Sequence, residues 1–340
     1  MKALFIGGTG TISAAISSLC ADKGWELTLL NRGNNAAFVP AGVRVLKADM
    51  DDEDAVRAVL GDERFDVVAD FIAFTPAQVE RDIRLFEGRT GQYFFISSAS
   101  AYQKPLSSPW ITEGTPLANP FWQYSRDKIA CEEMLMKAYR ESGFPVTIIR
   151  PSHTYGNRGV PVALHGKNGS FAVVERIRTG RKVIVPGDGL TLWTLTHNTD
   201  FAVAFCGLMG NTHARGDAFH ITSDESLTWN QVYEAVGAAL GVRPQMVHIA
   251  SETLAALCPD YLGALIGDKS NTVLFDNAKV KRAVPEFTAK IRFDQGVREA
   301  IRYIYAHPEC QRADAEFDAW CDGVIAQYER MVDAMPKLMM

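Results

Sequence analysis

The sequence predicts an α/β protein built on a doubly wound parallel sheet, with a smaller, mostly helical C-terminal substrate domain. Three observations predict it. The chain opens on a strand, a glycine turn, a helix and a second strand. Short apolar runs then alternate with helical stretches as far as Ile149. Within one of those stretches Tyr124 and Lys128 stand four residues apart.

Lys2–Ile6 is a short apolar run of the kind that makes a buried parallel strand. It leads into Gly7-Gly8-Thr9-Gly10-Thr11-Ile12-Ser13, then a small-residue helix ending near Lys23-Gly24, then a strand over Glu26–Asn31. Such glycines allow a tight turn and close approach of a pyrophosphate to a helix N-terminus. Ser13 stands where a third glycine usually serves helix–strand packing, and is the next smallest choice. Val43–Lys47 and Asp66–Ile72 read as strands, and Thr75–Phe86 as a helix with Pro76 in its first turn. Gln92–Ile96 reads as a strand, Phe121–Ser142 as a helix and Val146–Ile149 as a strand. After Gly156 the alternation loosens. A helix is expected near residues 170–179, and a helix and strand within 199–222. Helices follow at Trp229–Leu240, Asp276–Ala283, Phe293–Ala306 and Asp314–Met331. These readings give a dinucleotide-binding domain over residues 1–156, rejoined by 195–222, and a substrate domain over 157–194 and 223–340.

The chain has 340 residues, 47% apolar and 22% charged, with a net charge of −5. That reads as a soluble globular protein with no broad attraction to nucleic acid or membrane. Six cysteines without a Cys-x-x-Cys pair suit reduced thiols in the cytoplasm, and seven histidines offer no metal-ligand spacing. The first apolar run breaks at glycines after five residues, unlike a signal peptide, and no stretch approaches a transmembrane span.

A Tyr and a Lys at i and i+4 share one helix face. There the ammonium can draw the phenol's pKa toward neutrality, and a phenolate can take the proton of a substrate hydroxyl. The apolar strand upstream ends in Ser97-Ser98-Ala99-Ser100. Ligands of parallel sheets meet the carboxyl ends of strands, which puts Ser98 beside a nicotinamide with its hydroxyl on the reacting oxygen. At the end of the second strand Asn31 stands where NAD sites commonly carry an acid, and Arg32 follows. A guanidinium pairs well with a 2′-phosphate, which favours NADP over NAD. The alternative is a solvated Arg32 with Asn31 on the ribose hydroxyls of NAD. Asp49 and Met50 are expected to flank the adenine, and Phe71, Ile72 and Ala73 to pass the cofactor's middle.

Together these segments resemble the extended short-chain dehydrogenase/reductases, the NAD-dependent epimerase/dehydratase family. The likeness rests on Gly7-Gly8-Thr9-Gly10-Thr11-Ile12, Asp49, Ser97-Ser98, Tyr124-x-x-x-Lys128, Arg150-Pro151 with Tyr155-Gly156, Pro186-Gly187-Asp188-Gly189, and Asp200. It covers residues 1–305, most specifically the first 156. It implies a Rossmann domain with Ser98, Tyr124 and Lys128 as the catalytic set. Gly7, Gly10, Thr11, Ile12, Asn31, Arg32, Asp49, Met50, Phe71, Ala73, Lys128 and Pro151 would surround NADP or NAD. It also implies a homodimer formed by Phe121–Ser142 and Thr75–Phe86, with Val79, Ile83, Phe86, Ile129, Met134, Leu135 and Met136 offered to the interface or the sheet.

The family's usual substrates are nucleotide sugars, and this chain departs from the pattern that binds them. His153 replaces an Asn near the sugar diphosphate, and Trp193 replaces a phosphate-binding Arg. Either another cation (Arg158, Lys167, Arg176 or Arg181) takes the phosphates or the substrate carries none. Ser100, His153 and Trp193 are the candidate substrate residues. Trp193 reads either as a stacking surface or as a core residue, and His153 as an acid–base group or a packed neutral ring. Ser98-Ala99-Ser100 stands where dehydratases carry Thr-Asp-Glu, which disfavours elimination of water. The resulting reading is an NAD(P)-dependent epimerase or oxidoreductase acting on a sugar-like secondary alcohol or ketone. The alternative is a non-catalytic nucleotide-sensing or RNA-binding member. Leu29–Gly33 and Leu192-Trp193 also resemble an atypical branch that includes chloroplast stem-loop RNA-binding proteins, a role that predicts a broken catalytic set and a basic stripe.

Overall fold

Seven short apolar runs pair side by side, all parallel, in a computed structural model that describes residues 1–335. They are β1 (Lys2–Ile6), β2 (Glu26–Asn31), β3 (Arg44–Lys47), β4 (Val67–Asp70), β5 (Tyr93–Ile96), β6 (Val146–Pro151) and β7 (Asp217–Ile221), in the order β7-β6-β5-β4-β1-β2-β3. Every residue of β4, β5 and β6 is buried, as expected of strands covered on both faces. The winding reverses between β1 and β4, and a crevice opens beyond the carboxyl ends of strands at such a point.

Side chains alternate across the sheet and feed two cores. Ala3, Phe5, Leu29 and Phe94 point to one face, where they meet Phe201 and Phe205. Leu4, Ile6, Val68 and Phe95 point to the other, where they meet Val79, Phe86 and Leu135. The first face is covered by α1 (Thr11–Asp22) and the helix Asn198–Leu208. On the second lie α2 (Glu53–Leu60), α3 (Pro76–Phe86) and α4 (Gln123–Ser142). Val79, Phe86 and Leu135 are fully buried against this sheet, the second of the two places the sequence offered them.

α2 was not legible in the sequence. It is eight residues long and is started by Asp52, whose side chain accepts the Ala55 N–H. Two compact units emerge. The first comprises Met1–Tyr155, Thr194–Ser226 and Val273–Ile291; the second comprises Gly156–Trp193, Leu227–Thr272 and the chain from Arg292 onward. Sequence reasoning left Val273–Ile291 with the second. Hydrogen bonding places it in the first: Leu274–Phe275 pairs in parallel with Trp110–Ile111, and the Asn277 amide donates to the Thr222 carbonyl.

The second unit pairs Lys182–Pro186 with Gln245–Ile249 in parallel among helices at Phe171–Arg178, Trp229–Leu240, Ser251–Leu257, Phe293–Ala306 and Ala315–Ala334. Arg176 is 1% exposed and donates to Asp318 at 3.1 Å and Asp322 at 2.6 Å, and Arg181 reaches the same two carboxylates. No helix among the described residues is long and apolar enough to cross a membrane.

One buried ion pair ties α4 to the sheet. Arg150 on β6 meets Glu132 on α4 at 2.6 Å, and both side chains are almost wholly buried. Removing one partner of such a pair strands the other charge. Glu132→Ala is therefore expected to cost about 3–5 kcal/mol in urea unfolding. A loss within the range of ordinary surface substitutions, about 0.5 kcal/mol, would show that the pair carries no such weight.

Candidate functional site

The glycine turn after β1 is shaped by close packing. Gly8 has φ +83°, and a Cβ there would lie 2.5 Å from Leu29 Cδ2. Any other residue there would be strained by the positive φ and would push the Leu29 side chain aside. The Gly10 N–H donates to Ser13 Oγ at 2.8 Å, and Ser17 Oγ donates to the Gly8 carbonyl at 2.9 Å. Ser13 thus uses its hydroxyl to pin the turn, a job the third glycine of the usual pattern could not do. Thr11 and Ile12 begin α1, whose first turn carries no acidic side chain to repel an anion. This cradle fits a pyrophosphate.

Beside it a cavity of about 420 Å³ is bordered by Gly7, Asn31, Arg32, Asp49 and Met50, and also by Ile72, Phe74, Gln78 and Arg81. Phe74, Gln78 and Arg81 were missed from sequence because no motif marks them. The Phe71 ring is partly buried, 5.4 Å from Phe5 and 5.7 Å from Phe205, while its Cβ lies beside Gly7 of the turn and Ile72 borders the cavity.

The loop that carries Ile72, Ala73 and Phe74 is fixed by Asp70 at the end of β4. One Asp70 oxygen accepts the N–H groups of Ile72 and Ala73. Arg81 lies 3.8 Å from the other oxygen and also pairs with Asp82 at 2.9 Å. Burial, and then the charge of Asp70, hold the Asp82 carboxyl well above the usual carboxylate range. The Tyr93 hydroxyl donates to Asp82 at 2.6 Å and completes this floor.

Lys128 reaches inward from α4 and is 2% exposed. Its ammonium donates to the Ala73 carbonyl at 2.7 Å and the Ile96 carbonyl at 2.6 Å, so it bridges the loop after β4 and the last residue of β5. The rings of Phe74, Phe95 and Tyr124 lie 4.5, 4.7 and 5.8 Å from it. Burial lowers its pKa to about 8, against opposing contributions from Cys131, Asp70 and Glu132. Two of the three ammonium hydrogens are committed, which leaves one donor.

Tyr124 is half-buried one turn before Lys128, its ring 4.9 Å from Trp122 and 6.3 Å from Phe74. The serines after β5 divide. Ser97 is 2% exposed, whereas Ser98 is half-buried with its hydroxyl 2.9 Å from Ser100 Oγ. Ser100 in turn meets Ser125 Oγ at 2.8 Å, and Asn119 donates to the Ser100 carbonyl and to Ser125. Ser125 and Asn119 thus lock the strand-end loop to the residue after Tyr124. Their only sequence signal is adjacency to the motif.

The expected substrate residues separate. Ser100 is buried behind Ser98 and presents no surface of its own. His153 lies on a short strand in register with Leu195, half-buried. Pro151 ends β6 opposite Ile221 and is buried. Trp193 is 3% exposed, donates its indole N–H to the Lys269 carbonyl at 3.1 Å and packs 5.2 Å from Trp229. It is a core residue and not the stacking surface that the sequence offered as one option. Of the substitute cations, Arg176 and Arg181 are engaged with Asp318 and Asp322, and Lys167 lies 3.6 Å from Glu316. Burial lowers the Arg158 pKa.

Residues 3–221 match the profile of the NAD dependent epimerase/dehydratase family. The chain belongs to that family. It is similar to the 2′-dehydrokanamycin reductase of Streptomyces kanamyceticus, 25% identical over 260 residues that cover 76% of this chain and 72% of the relative. It is also similar to the chloroplast stem-loop binding protein of 41 kDa b from Arabidopsis thaliana, 28% identical over 73% of this chain and 65% of that protein. A dTDP-glucose 4,6-dehydratase from Bacillus anthracis, solved with NAD, has the same fold. Its TM-score is 0.74 at 18% identity, over 91% of this chain and 98% of that one.

The Lys128 pKa has a measurable consequence. A base whose folded pKa lies below its unfolded value binds fewer protons when folded. Its charged form therefore penalises the native state below about pH 8, and the penalty is relieved as pH rises toward 10.5. A difference of that size is worth about 3 kcal/mol. Urea unfolding across this window should show wild-type stability rising relative to Lys128→Met. Parallel curves would contradict the pKa assigned to Lys128.

Proposed function

We propose that this protein is an NADP(H)-dependent oxidoreductase, of the reductase or epimerase kind, acting on a carbohydrate secondary alcohol or ketone through Ser98, Tyr124 and Lys128. The observation that carries the reading is the Lys128 ammonium. It is almost fully buried, fixed by two carbonyls and one turn from Tyr124. A lysine held at that desolvation cost with one donor uncommitted suits binding a ribose hydroxyl and favouring the phenolate of its neighbour.

The nicotinamide would supply or accept the hydride. Gly7, Gly10, Thr11 and Ile12 would hold the pyrophosphate, while Asn31, Arg32, Asp49 and Met50 border the adenosine end and Ala73 the middle. In the reducing direction, the Tyr124 hydroxyl gives its proton to the substrate oxygen while Ser98 Oγ donates a hydrogen bond to the same atom. In the oxidising direction Tyr124 takes that proton back. Lys128 holds the Tyr124 oxygen in the field of a positive charge through both directions. Ala99 and Ser100 offer no carboxyl for elimination. Arg32 at the adenosine end favours NADP.

Two observations favour a substrate without a nucleotide. Trp193 occupies the place of a phosphate-binding Arg and is sealed in the core, while Arg176 and Arg181 are already paired. The 2′-dehydrokanamycin reductase, by its name, reduces 2′-dehydrokanamycin, and this supports net reduction ahead of epimerisation. The likeness to the stem-loop binding protein supports the alternative RNA-binding role less well, because the net charge is −5 and the Ser98, Tyr124 and Lys128 set is intact.

Tyr124→Phe keeps the ring and removes only the proton carrier. With NADPH and a panel of keto-glycosides, kcat is expected to fall by roughly 10²–10⁴-fold, with NADPH affinity preserved. Activity within a few-fold of wild type would take Tyr124 out of the mechanism. UDP and dTDP should give weak thermal shifts in the presence of cofactor. One lost charge-assisted phosphate contact is worth roughly 10- to 150-fold in affinity. Submicromolar binding of either would restore a nucleotide-sugar substrate.

A further inference from the structure

We infer that Lys47 is a second cation for an adenosine 2′-phosphate, acting beside Arg32, and that these two side chains decide between NADP and NAD while Asn31 takes no part in the choice. The inference rests on the NADP(H) reading above and assigns a specificity residue that no motif marks.

Asn31 ends β2, the place from which a carboxylate would reach the ribose hydroxyls of NAD. Each polar atom of its amide already makes one bond within the chain. Nδ2 donates to the Gly7 carbonyl at 3.3 Å, and Oδ1 accepts the Gly33 N–H at 2.8 Å. The side chain therefore staples the pyrophosphate turn to the turn after β2. An aspartate could keep the second bond, but its oxygen would face the Gly7 carbonyl where the amide now donates. The local geometry selects Asn over Asp, and the end of β2 consequently presents no carboxylate to a ribose diol.

The positive charge around this turn comes from two directions. Arg32 lies in the turn itself and is 68% exposed, but its guanidinium is 3.8 Å from Asp49, which offsets part of its charge. Lys47 comes from the neighbouring strand, where it is the register partner of Asn31. Its side chain lies across Gly33. A Cβ built on Gly33 would meet Lys47 Cε at 3.2 Å and Nζ at 3.7 Å. Gly33 has φ +85°, so glycine both permits the turn and leaves room for the lysine stem over it. Lys47 is exposed and makes no ion pair among the described residues. A phosphomonoester carries about −1.5 to −2 charge at neutral pH, which one exposed guanidinium balances only in part. Lys47 is an uncompensated cation within reach of the same turn, among the described residues. Asn34 and Asn35, which border the cavity with Arg32, supply further amide donors.

The test uses the purified full chain and binding alone. Isothermal titration at fixed ionic strength would compare NADP⁺ with NAD⁺, and adenosine 2′,5′-bisphosphate with 5′-AMP. Wild type is expected to prefer the 2′-phosphorylated member of each pair. Lys47→Gln should lose roughly tenfold or more in affinity for NADP⁺ and the bisphosphate, the weight of one charge-assisted contact, and leave NAD⁺ and AMP unchanged. Asn31→Asp should weaken both cofactors, because it breaks the staple, and should not trade one for the other. If Lys47→Gln binds NADP⁺ as wild type does while Arg32→Gln does not, the role of Lys47 is overturned and the NADP(H) reading stands on Arg32. If Asn31→Asp binds NAD⁺ tightly at the expense of NADP⁺, the assignment of Asn31 is overturned. A wild-type protein that binds NAD⁺ as tightly as NADP⁺ removes the NADP(H) reading itself, and this inference with it.

Discussion

The candidate site depends on one ammonium placed where ammoniums are costly. Lys128 lies under the rings of Phe74 and Phe95, and its hydrogen bonds to Ala73 and Ile96 make the position tolerable. Those two carbonyls belong to the loop after β4 and to the end of β5, and the two strands are neighbours in the sheet on one side of the point where the winding reverses. Fixing one side chain therefore fixes three elements: the loop after β4, the end of β5 and α4. Tyr124 inherits its position from the same helix turn.

Each loop has its own support. Asp70 orders Ile72 and Ala73 through their amides, and is backed by Arg81, Asp82 and Tyr93 in a buried polar cluster. Ser98, Ser100, Ser125 and Asn119 order the loop after β5 and tie it to α4. Glu132 and Arg150 hold the next turn of α4 to β6. Buried polar clusters of this kind hold loops more rigidly than exposed pairs do.

Much of the sheet was legible because its signals are local. Apolar runs of four to six residues made the strands, and glycines at Gly7, Gly8 and Gly10 marked the turn. α2 escaped because an eight-residue amphipathic helix barely exceeds two turns, too short for a periodic signal. Val273–Ile291 escaped because its place is set by pairing with Trp110–Ile111, far away in sequence. Trp193 could be read either way from sequence, and only the Trp229 ring and the Lys269 carbonyl that bury it decide. Residue type and spacing marked Ser98, Tyr124 and Lys128 as candidates. The residues bonded around them, Asp70, Asn119 and Ser125, became visible only when the chain was folded.

The claim at the centre of this account is that Lys128 is a desolvated, carbonyl-held ammonium. It is tested most directly by following the Lys128 side-chain resonance in a ¹³C-lysine-labelled protein through a pH titration, with Lys128→Met used to assign the signal. The account predicts a midpoint near pH 8. A midpoint at the ordinary lysine value of about 10.4 would place the group in solvent and contradict it.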